Sequence, residues 1–260
     1  MGGRIRTERR GAVGVLLFDH PERRNAISGE MWSQIPAAAA ELGADPEIRV
    51  VVLRGAGDVA FVSGADISEF ERQRTGDSAQ AYDAQTARAF AALTGLERPV
   101  LAAVHGFCVG GGLALALTAD VRYAAEDARF AIPAARLGLG YGMSGVEALV
   151  QLIGPSAAKE LFFTAQRFDA SWALRTGLVN AVLPKADLDA HVEETAQRIA
   201  DNAPLTLRAI KLCARELTRP HGMRDAEATL RAVQTCFESE DYREGVRAFL
   251  EKRPPLFRGR

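Results

Sequence analysis

Val100-Leu101-Ala102-Ala103-Val104-His105-Gly106-Phe107-Cys108-Val109-Gly110-Gly111-Gly112 runs directly into Leu113-Ala114-Leu115-Ala116-Leu117. The first five residues are all apolar and valine-ended, the pattern of a strand buried on both faces. His105-Gly106 breaks the run, and three glycines then open an apolar helix. The first N–H groups of a helix lack partners and sit at the positive end of its dipole, and glycines leave them uncovered. Such a start accepts a phosphate, a carboxylate or a developing oxyanion; the alternative is close packing of helix on sheet.

Working outward, the same strand signature recurs. Val50-Val51-Val52-Leu53, residues 121–124 and residues 178–182 read as further buried strands, with helical patterns at 66–71, 79–93 and 113–118 between them. Strands alternating with helices predict an α/β protein. Residues 4–9 and 13–18 around Arg10-Gly11 read as a hairpin. A helix is expected from an N-cap at Ser28 to Gly43, with Pro36 kinking or restarting it. After Pro184 the character changes: 187–202, 204–217, 223–239 and 241–251 are all amphipathic helical patterns, so the carboxyl-terminal quarter is all-helical.

Composition narrows the function classes. The chain has 260 residues, of which 48% are hydrophobic and 25% charged, and a net charge of -1. That balance is ordinary for a globular protein and gives no electrostatic reason to expect nucleic acid or an anionic membrane as partner. The longest apolar stretch, 99–109, is too short to span a bilayer. Cys108, Cys213 and Cys236 lack metal or redox spacing, and the four histidines show no ligand pattern, so no metal is expected. No signal peptide is read, which makes the cytoplasm the expected compartment.

A second glycine-containing loop, Phe61-Val62-Ser63-Gly64-Ala65-Asp66-Ile67, comes after the strand at Val50. Gly64 permits a tight turn, and Asp66 can cap the helical segment after it, leaving the Ala65 N–H free. Ala65 and Gly111 together would supply two converging donors, an oxyanion hole for a thioester carbonyl becoming an enolate. Gly140-Tyr141-Gly142-Met143-Ser144-Gly145 matches a dinucleotide fingerprint in letters only. That fingerprint needs a buried strand immediately before it, and here a proline and a glycine precede it.

In this order the segments resemble the enoyl-CoA hydratase/isomerase, or crotonase, family. They are Pro21-Glu22-Arg23-Arg24-Asn25-Ala26, the Phe61–Ile67 loop, His105-Gly106 with the glycine triplet, Phe130-Ala131-Ile132-Pro133, Gly138-Leu139, Asp169-Ala170, Gly177-Leu178-Val179-Asn180 and Phe249-Leu250-Glu251-Lys252-Arg253-Pro254-Pro255 with Phe257. The resemblance spans almost the whole chain. It implies a spiral ββα core, taken here as 1–200, and a helical trimerisation region, 201–260, giving a homotrimer or a dimer of trimers. It implies an acyl-CoA substrate, with coenzyme A part of the substrate and no separate cofactor. Ala65 and Gly111 would form the oxyanion hole. Arg24, Ala26, Ser63, Gly64, Asp66, Ile67, Val109, Gly110, Pro133, Ala134 and Gly142 would line the thioester and coenzyme A site, with Arg23 or Lys252 near a phosphate.

The departures bear on mechanism. Family hydratases carry a glutamate two residues after the glycine triplet, where this chain has Ala114, and another directly after the proline of Phe-x-x-Pro, where it has Ala134. A dienoyl isomerase or dehalogenase uses an acid eight residues further, at Gly142 here. Positioned acid–base groups contribute about 10²–10⁴-fold, and none of these positions supplies one. Tyr141, Ser144 and Glu147 are the remaining acid–base candidates, Tyr141 foremost. The expected label is an enoyl-CoA hydratase-like lyase. A decarboxylase or hydrolase of an acyl-CoA, and a non-catalytic acyl-CoA binder, stay open.

Overall fold

The computed structural model describes residues 2–69 and 77–260. Strands β1 (Arg4–Arg10) and β2 (Val13–Asp19) form an antiparallel hairpin that leads through helix α1 (Gly29–Ala44) into a spiral. The first turn is β3 (Val50–Gly55), β4 (Ala60–Val62) and α2 (Asp77–Thr94). The second is β5 (Val100–Val104), β6 (Phe107–Val109) and α3 (Gly111–Leu117); the third is β7 (Val121–Ala125), β8 (Arg129–Ala131) and α4 (Met143–Thr164). β9 (Phe168–Asp169), α5 (Ala170–Thr176) and β10 (Ala181–Leu183) complete it. Each strand–strand–helix turn adds one strand to a six-stranded sheet, ordered β1-β2-β3-β5-β7-β10, and one to a four-stranded sheet, ordered β4-β6-β8-β9. The ββα spiral is therefore the fold, its successive turns laying parallel strands side by side.

The turn between paired strands must be sharp, and glycine makes it so. Gly106 links β5 to β6 at φ +52°, and a Cβ there would lie 1.9 Å from the Val59 carbonyl oxygen. Gly112 in α3 lets that helix touch β4, since a Cβ would sit 2.1 Å from the Val62 carbonyl oxygen. The period-2 alternation of strands then divides the core. Val13, Val15 and Leu17 of β2 face a cluster with Leu188, Val192 and Ala196 of α6 (Leu188–Ala200). Leu16 and Phe18 face the other cluster, with Phe61, Phe130, Leu113 and Trp32. Helices α7 (Pro204–Thr218), α8 (Ala226–Glu238) and α9 (Glu240–Glu251) end the chain.

Several sequence expectations are met closely. The Ser28 hydroxyl caps α1 by accepting the Met31 N–H at 3.2 Å, and the hairpin and the strands at 50, 100 and 121 stand where their apolar runs place them. Others need correction. α1 continues through Pro36 as one helix, with no restart. The strand expected at 178–182 begins only at Ala181, because Gly177 caps α5 in the left-handed region and the Leu178 N–H bonds back to Ala173 at 2.8 Å. The helix expected at 66–71 is a 3-10 turn over Ile67–Glu69; positions 70 and 71 lie outside the described residues. The helix expected from 223 starts at Ala226 behind an Asp225 cap.

His105, just after β5, is 2% exposed and neither ring nitrogen has a partner among the described residues. Burial, then the nearby Arg54 charge, lowers its pKa to about 4, against the opposing charges of Asp189 and Asp127. The folded protein thus holds the ring neutral while the unfolded chain takes a proton near pH 6.5. The resulting stability is fully present above pH 6.5 and is lost as pH falls toward 4, by about 3 kcal/mol. Denaturant melts at pH 7 and pH 4.5 will show this loss in the wild type and a smaller one in His105→Leu. Equal losses in both would remove His105 as its source.

Candidate active site between two glycine loops

The two glycine loops meet behind Trp32. A Cβ built on Gly111 would lie 3.7 Å from the Ala65 nitrogen and 3.3 Å from the Trp32 ring. The Ala65 loop is held from below: the Ile27 N–H donates to Gly64 O at 2.9 Å, and the Asp66 N–H to Ile27 O at 2.9 Å. Ala65 is skipped by this ladder, so its N–H has no backbone acceptor among the described residues. Gly111 is the first residue of α3, behind a Gly110 N-cap with φ 54° that offers no side-chain acceptor. Its N–H is likewise without a protein partner among the described residues, as a helix start predicts. Two amide donors thus stand side by side at one place.

They face a cavity of about 190 Å³. Ser63, Gly64, Ala65, Ile67, Val109, Gly110, Gly111, Pro133, Ala134 and Tyr141 all line it, as the sequence predicts. So do Ala114 and Gly145. Trp32, Tyr82, Thr86, Phe90, Leu137 and Leu139 also line it, and nothing in the sequence marks them for that role. Trp32 and Phe90 pack edge to face with centroids 5.4 Å apart, and Tyr141 meets Phe162 in the same way at 5.1 Å. Aromatics spaced along α1 and α2 look like core in sequence, and Trp32, 1% exposed, is core as well as wall. No charged side chain stands among the described lining residues.

A second cavity of about 590 Å³ adjoins the first and shares Ser63, Val109 and Pro133 with it. Arg24 lies here, together with Arg136, Arg167 and Phe107. The Arg24 and Arg167 guanidinium carbons stand 5.0 and 5.3 Å from the Phe107 ring centroid, close enough for cation–π attraction. Arg136 and Arg167 escape a reading of the sequence because a lone arginine in a loop carries no pattern. Asn25, fully buried, holds the Arg24 loop in place by donating to the carbonyls of Ala56 and Ala60 at 2.9 and 2.7 Å.

Ala26, Asp66 and Gly142 line neither cavity. The Ala26 carbonyl is taken by the His20 ring at 2.9 Å. Asp66 caps the 3-10 turn, accepting from the Ser68 hydroxyl at 2.7 Å and its N–H at 3.0 Å. The Ser68 hydroxyl bond lowers its pKa most, with the Arg23 charge adding to it. Gly142 is the N-cap of α4. Glu147 is exposed on α4 and accepts from Gln151 at 3.1 Å, so it is a surface glutamate. The side chain of Ser144 lies outside what the structure describes. Cys108 is fully buried, and burial pushes its thiol pKa up, which removes it as a nucleophile. The segment 140–145 comes after a 3-10 turn, Pro133–Arg136, and not a strand, so the dinucleotide context is absent.

Residues 8–260 match the enoyl-CoA hydratase/isomerase family. The chain is 38% identical over 251 residues to a short-chain-enoyl-CoA hydratase of Clostridium acetobutylicum, covering 95% of this chain and 94% of that protein. It is 35% identical over 268 residues to a carnitinyl-CoA dehydratase of Salmonella typhi, covering both chains in full. The crystal structure of an enoyl-CoA hydratase/carnithine racemase from Magnetospirillum magneticum superposes with a TM-score of 0.94 at 36% identity, over 98% of this chain and 96% of that one. The two meeting glycine loops and this end-to-end similarity agree: the chain belongs to the enoyl-CoA hydratase/isomerase family.

Proposed function

We propose that this protein is an enoyl-CoA hydratase-like lyase that binds the thioester carbonyl of an acyl-CoA with the N–H groups of Ala65 and Gly111. The single observation that carries this is the pair of adjacent, unpartnered amides opening into an apolar cavity. Fixed donors in a water-poor site stabilise the enolate oxygen more than the neutral carbonyl, which is what lowers the barrier. An engineered apolar cavity of about 150 Å³ holds a six-carbon ring, so the space here suits an acyl group of comparable size. Arg24, Arg136 and Arg167 at the adjoining cavity suit the phosphates of coenzyme A, as guanidinium forks do. No separate cofactor enters the reaction.

In hydration, a water gives one proton to a base as its oxygen bonds to the β-carbon, the π electrons move onto the thioester oxygen, and the α-carbon takes a proton from an acid as the carbonyl re-forms. Tyr141 is the acid–base candidate on the cavity wall. A specific observation favours a second reading, decarboxylation of a malonyl-type thioester: the described lining holds no carboxylate. There the bond to the carboxylate breaks, carbon dioxide leaves, and its electron pair forms the same enolate without a base. Mass spectrometry of enoyl-, malonyl-type and 3-oxoacyl-CoA esters after incubation separates these. A gain of water marks the lyase, loss of carbon dioxide marks the decarboxylase, and release of free CoA marks a hydrolase. Bound but unaltered esters across the panel would mark a binding protein and contradict the enzymatic reading.

The helices after residue 200 are proposed as a self-association region on a core of 1–200. Ile210, Phe237, Phe249 and Leu250 are 61, 60, 83 and 75% exposed, beside an apolar groove of about 940 Å³. Large apolar side chains exposed together along one groove mark an interface. Light scattering should give three or six chain masses; a monomer would contradict this assignment.

A further inference from the structure

We propose that a further cavity, apart from the two already described and lined by arginines at the amino ends of β3 and β5, binds a polyphosphate group. This cavity, of about 730 Å³, shares no lining residue with the thioester cavity. The glycine loops come after the carboxyl ends of the spiral strands, whereas Arg49 directly precedes β3 and Arg98 stands one residue, Pro99, before β5. The hairpin turn, the end of α1 and the start of α7 close the rest of it.

Five guanidiniums stand here: Arg9, Arg49, Arg98, Arg208 and Arg258. Arg49 donates to the carbonyls of Ala200 and Phe257 at 3.1 and 2.7 Å. Arg98 donates to those of Gly43, Ile48 and Asp45. Carbonyls orient these groups without neutralising them. Carboxylates are few and poorly placed: Asp45 meets Arg9 at 3.4 Å, Glu97 meets Arg208 at 3.7 Å, and Glu47 on the wall is exposed. Asp241 accepts from the Arg258 and Gly259 backbone N–H groups at 2.6 and 2.7 Å, so five cations stand beside four acids. The Arg208 Nε is buried with no partner among the described residues. Arg98 feels the crowding, its pKa lowered by burial first and by the Arg208 charge second.

The backbone adds to this field. α7 begins with Pro204 on the cavity wall, behind an Ala203 N-cap that offers no side-chain acceptor. Its first N–H groups bring the positive end of a 15-residue helix to the same wall. A recess whose cations outnumber its acids attracts a compact polyanion, and the Arg208 and Arg258 forks, which make no bond to a carbonyl among the described residues, match phosphate oxygens two at a time. Linked phosphates, whether of an inorganic chain or of a nucleotide, are the chemistry that satisfies several forks at once.

The test is calorimetric titration of the full-length protein with tripolyphosphate and, in a parallel arm, with ATP. Because Arg24, Arg136 and Arg167 line a separate phosphate site, the titration is made in an Arg24→Gln/Arg167→Gln background, which should still bind one tripolyphosphate per chain. Adding Arg208→Glu/Arg258→Glu to that background should weaken binding at least tenfold. Equal affinity for ATP would show that phosphates alone are read; tighter ATP binding would add the nucleoside to the ligand. Arg208 and Arg258 of the wild type should also be shielded by tripolyphosphate from phenylglyoxal, read by peptide mass spectrometry, which needs no variant to fold. No binding in the Arg24→Gln/Arg167→Gln background, no shielding of Arg208 and Arg258, or binding left undiminished by Arg208→Glu/Arg258→Glu would overturn the proposal.

Discussion

Ala65→Pro is expected to lower kcat by about 10²–10³-fold, the cost of about 2.7–4 kcal/mol for losing one oxyanion donor. The substitution is chosen because the Ala65 N–H takes no part in the bridge that holds the loop, which uses Gly64 O and the Asp66 N–H. Proline therefore removes the donor and leaves those bonds. The residue before a proline is restricted, but here it is Gly64, already at φ 119° and free of a side chain. KM should change less than kcat, since the lost interaction strengthens only as the oxyanion forms. Steady-state kinetics on the ester that turns over, with a melt to confirm folding, measures this. Unchanged turnover in a folded variant would eliminate the hole.

Replacing both Ala114 and Ala134 by glutamate is expected to raise crotonyl-CoA hydration by at least about 10²-fold, the lower end of what positioned acid–base groups contribute. Both alanines line the 190 Å³ cavity, Ala114 on the first turns of α3 and Ala134 in the 3-10 turn after β8. Two like charges confined in an apolar space cannot both ionise at ordinary values, so one carboxyl stays protonated as acid and the other acts as base. Crotonyl is short enough to share the cavity with them. Loss of the enoyl absorbance reports the rate. A variant that folds and binds the ester but stays inert would mean that the pocket has diverged beyond these two side chains.

How far the sequence can be read depends on how each feature is encoded. Contiguous β-branched runs such as Val50–Leu53 show buried strands outright, and the serine before α1 shows its start. The second sheet is not legible strand by strand, because β4, β6 and β8 are three residues each, too short to display a period. Leu178 and Val179 are apolar and buried, yet belong to a glycine-capped helix end. The site divides in the same way. Its donors are backbone groups marked by glycines, so Ala65 and Gly111 can be found from their loops. Its walls come from Trp32, Tyr82 and Phe90, which lie on helices outside both loops, and only the fold brings them together.

The central claim is that the Ala65 and Gly111 amides polarise a thioester carbonyl, and it can be tested without turnover. The measurement is the infrared stretch of a ¹³C-labelled thioester carbonyl of an acyl-CoA bound to the wild type and to Ala65→Pro. Two donors should move the stretch to lower frequency in the wild type, and the shift should shrink in the variant at equal occupancy. A bound ester whose carbonyl stretch stays at its solution frequency, or shifts equally in both proteins, would contradict the account.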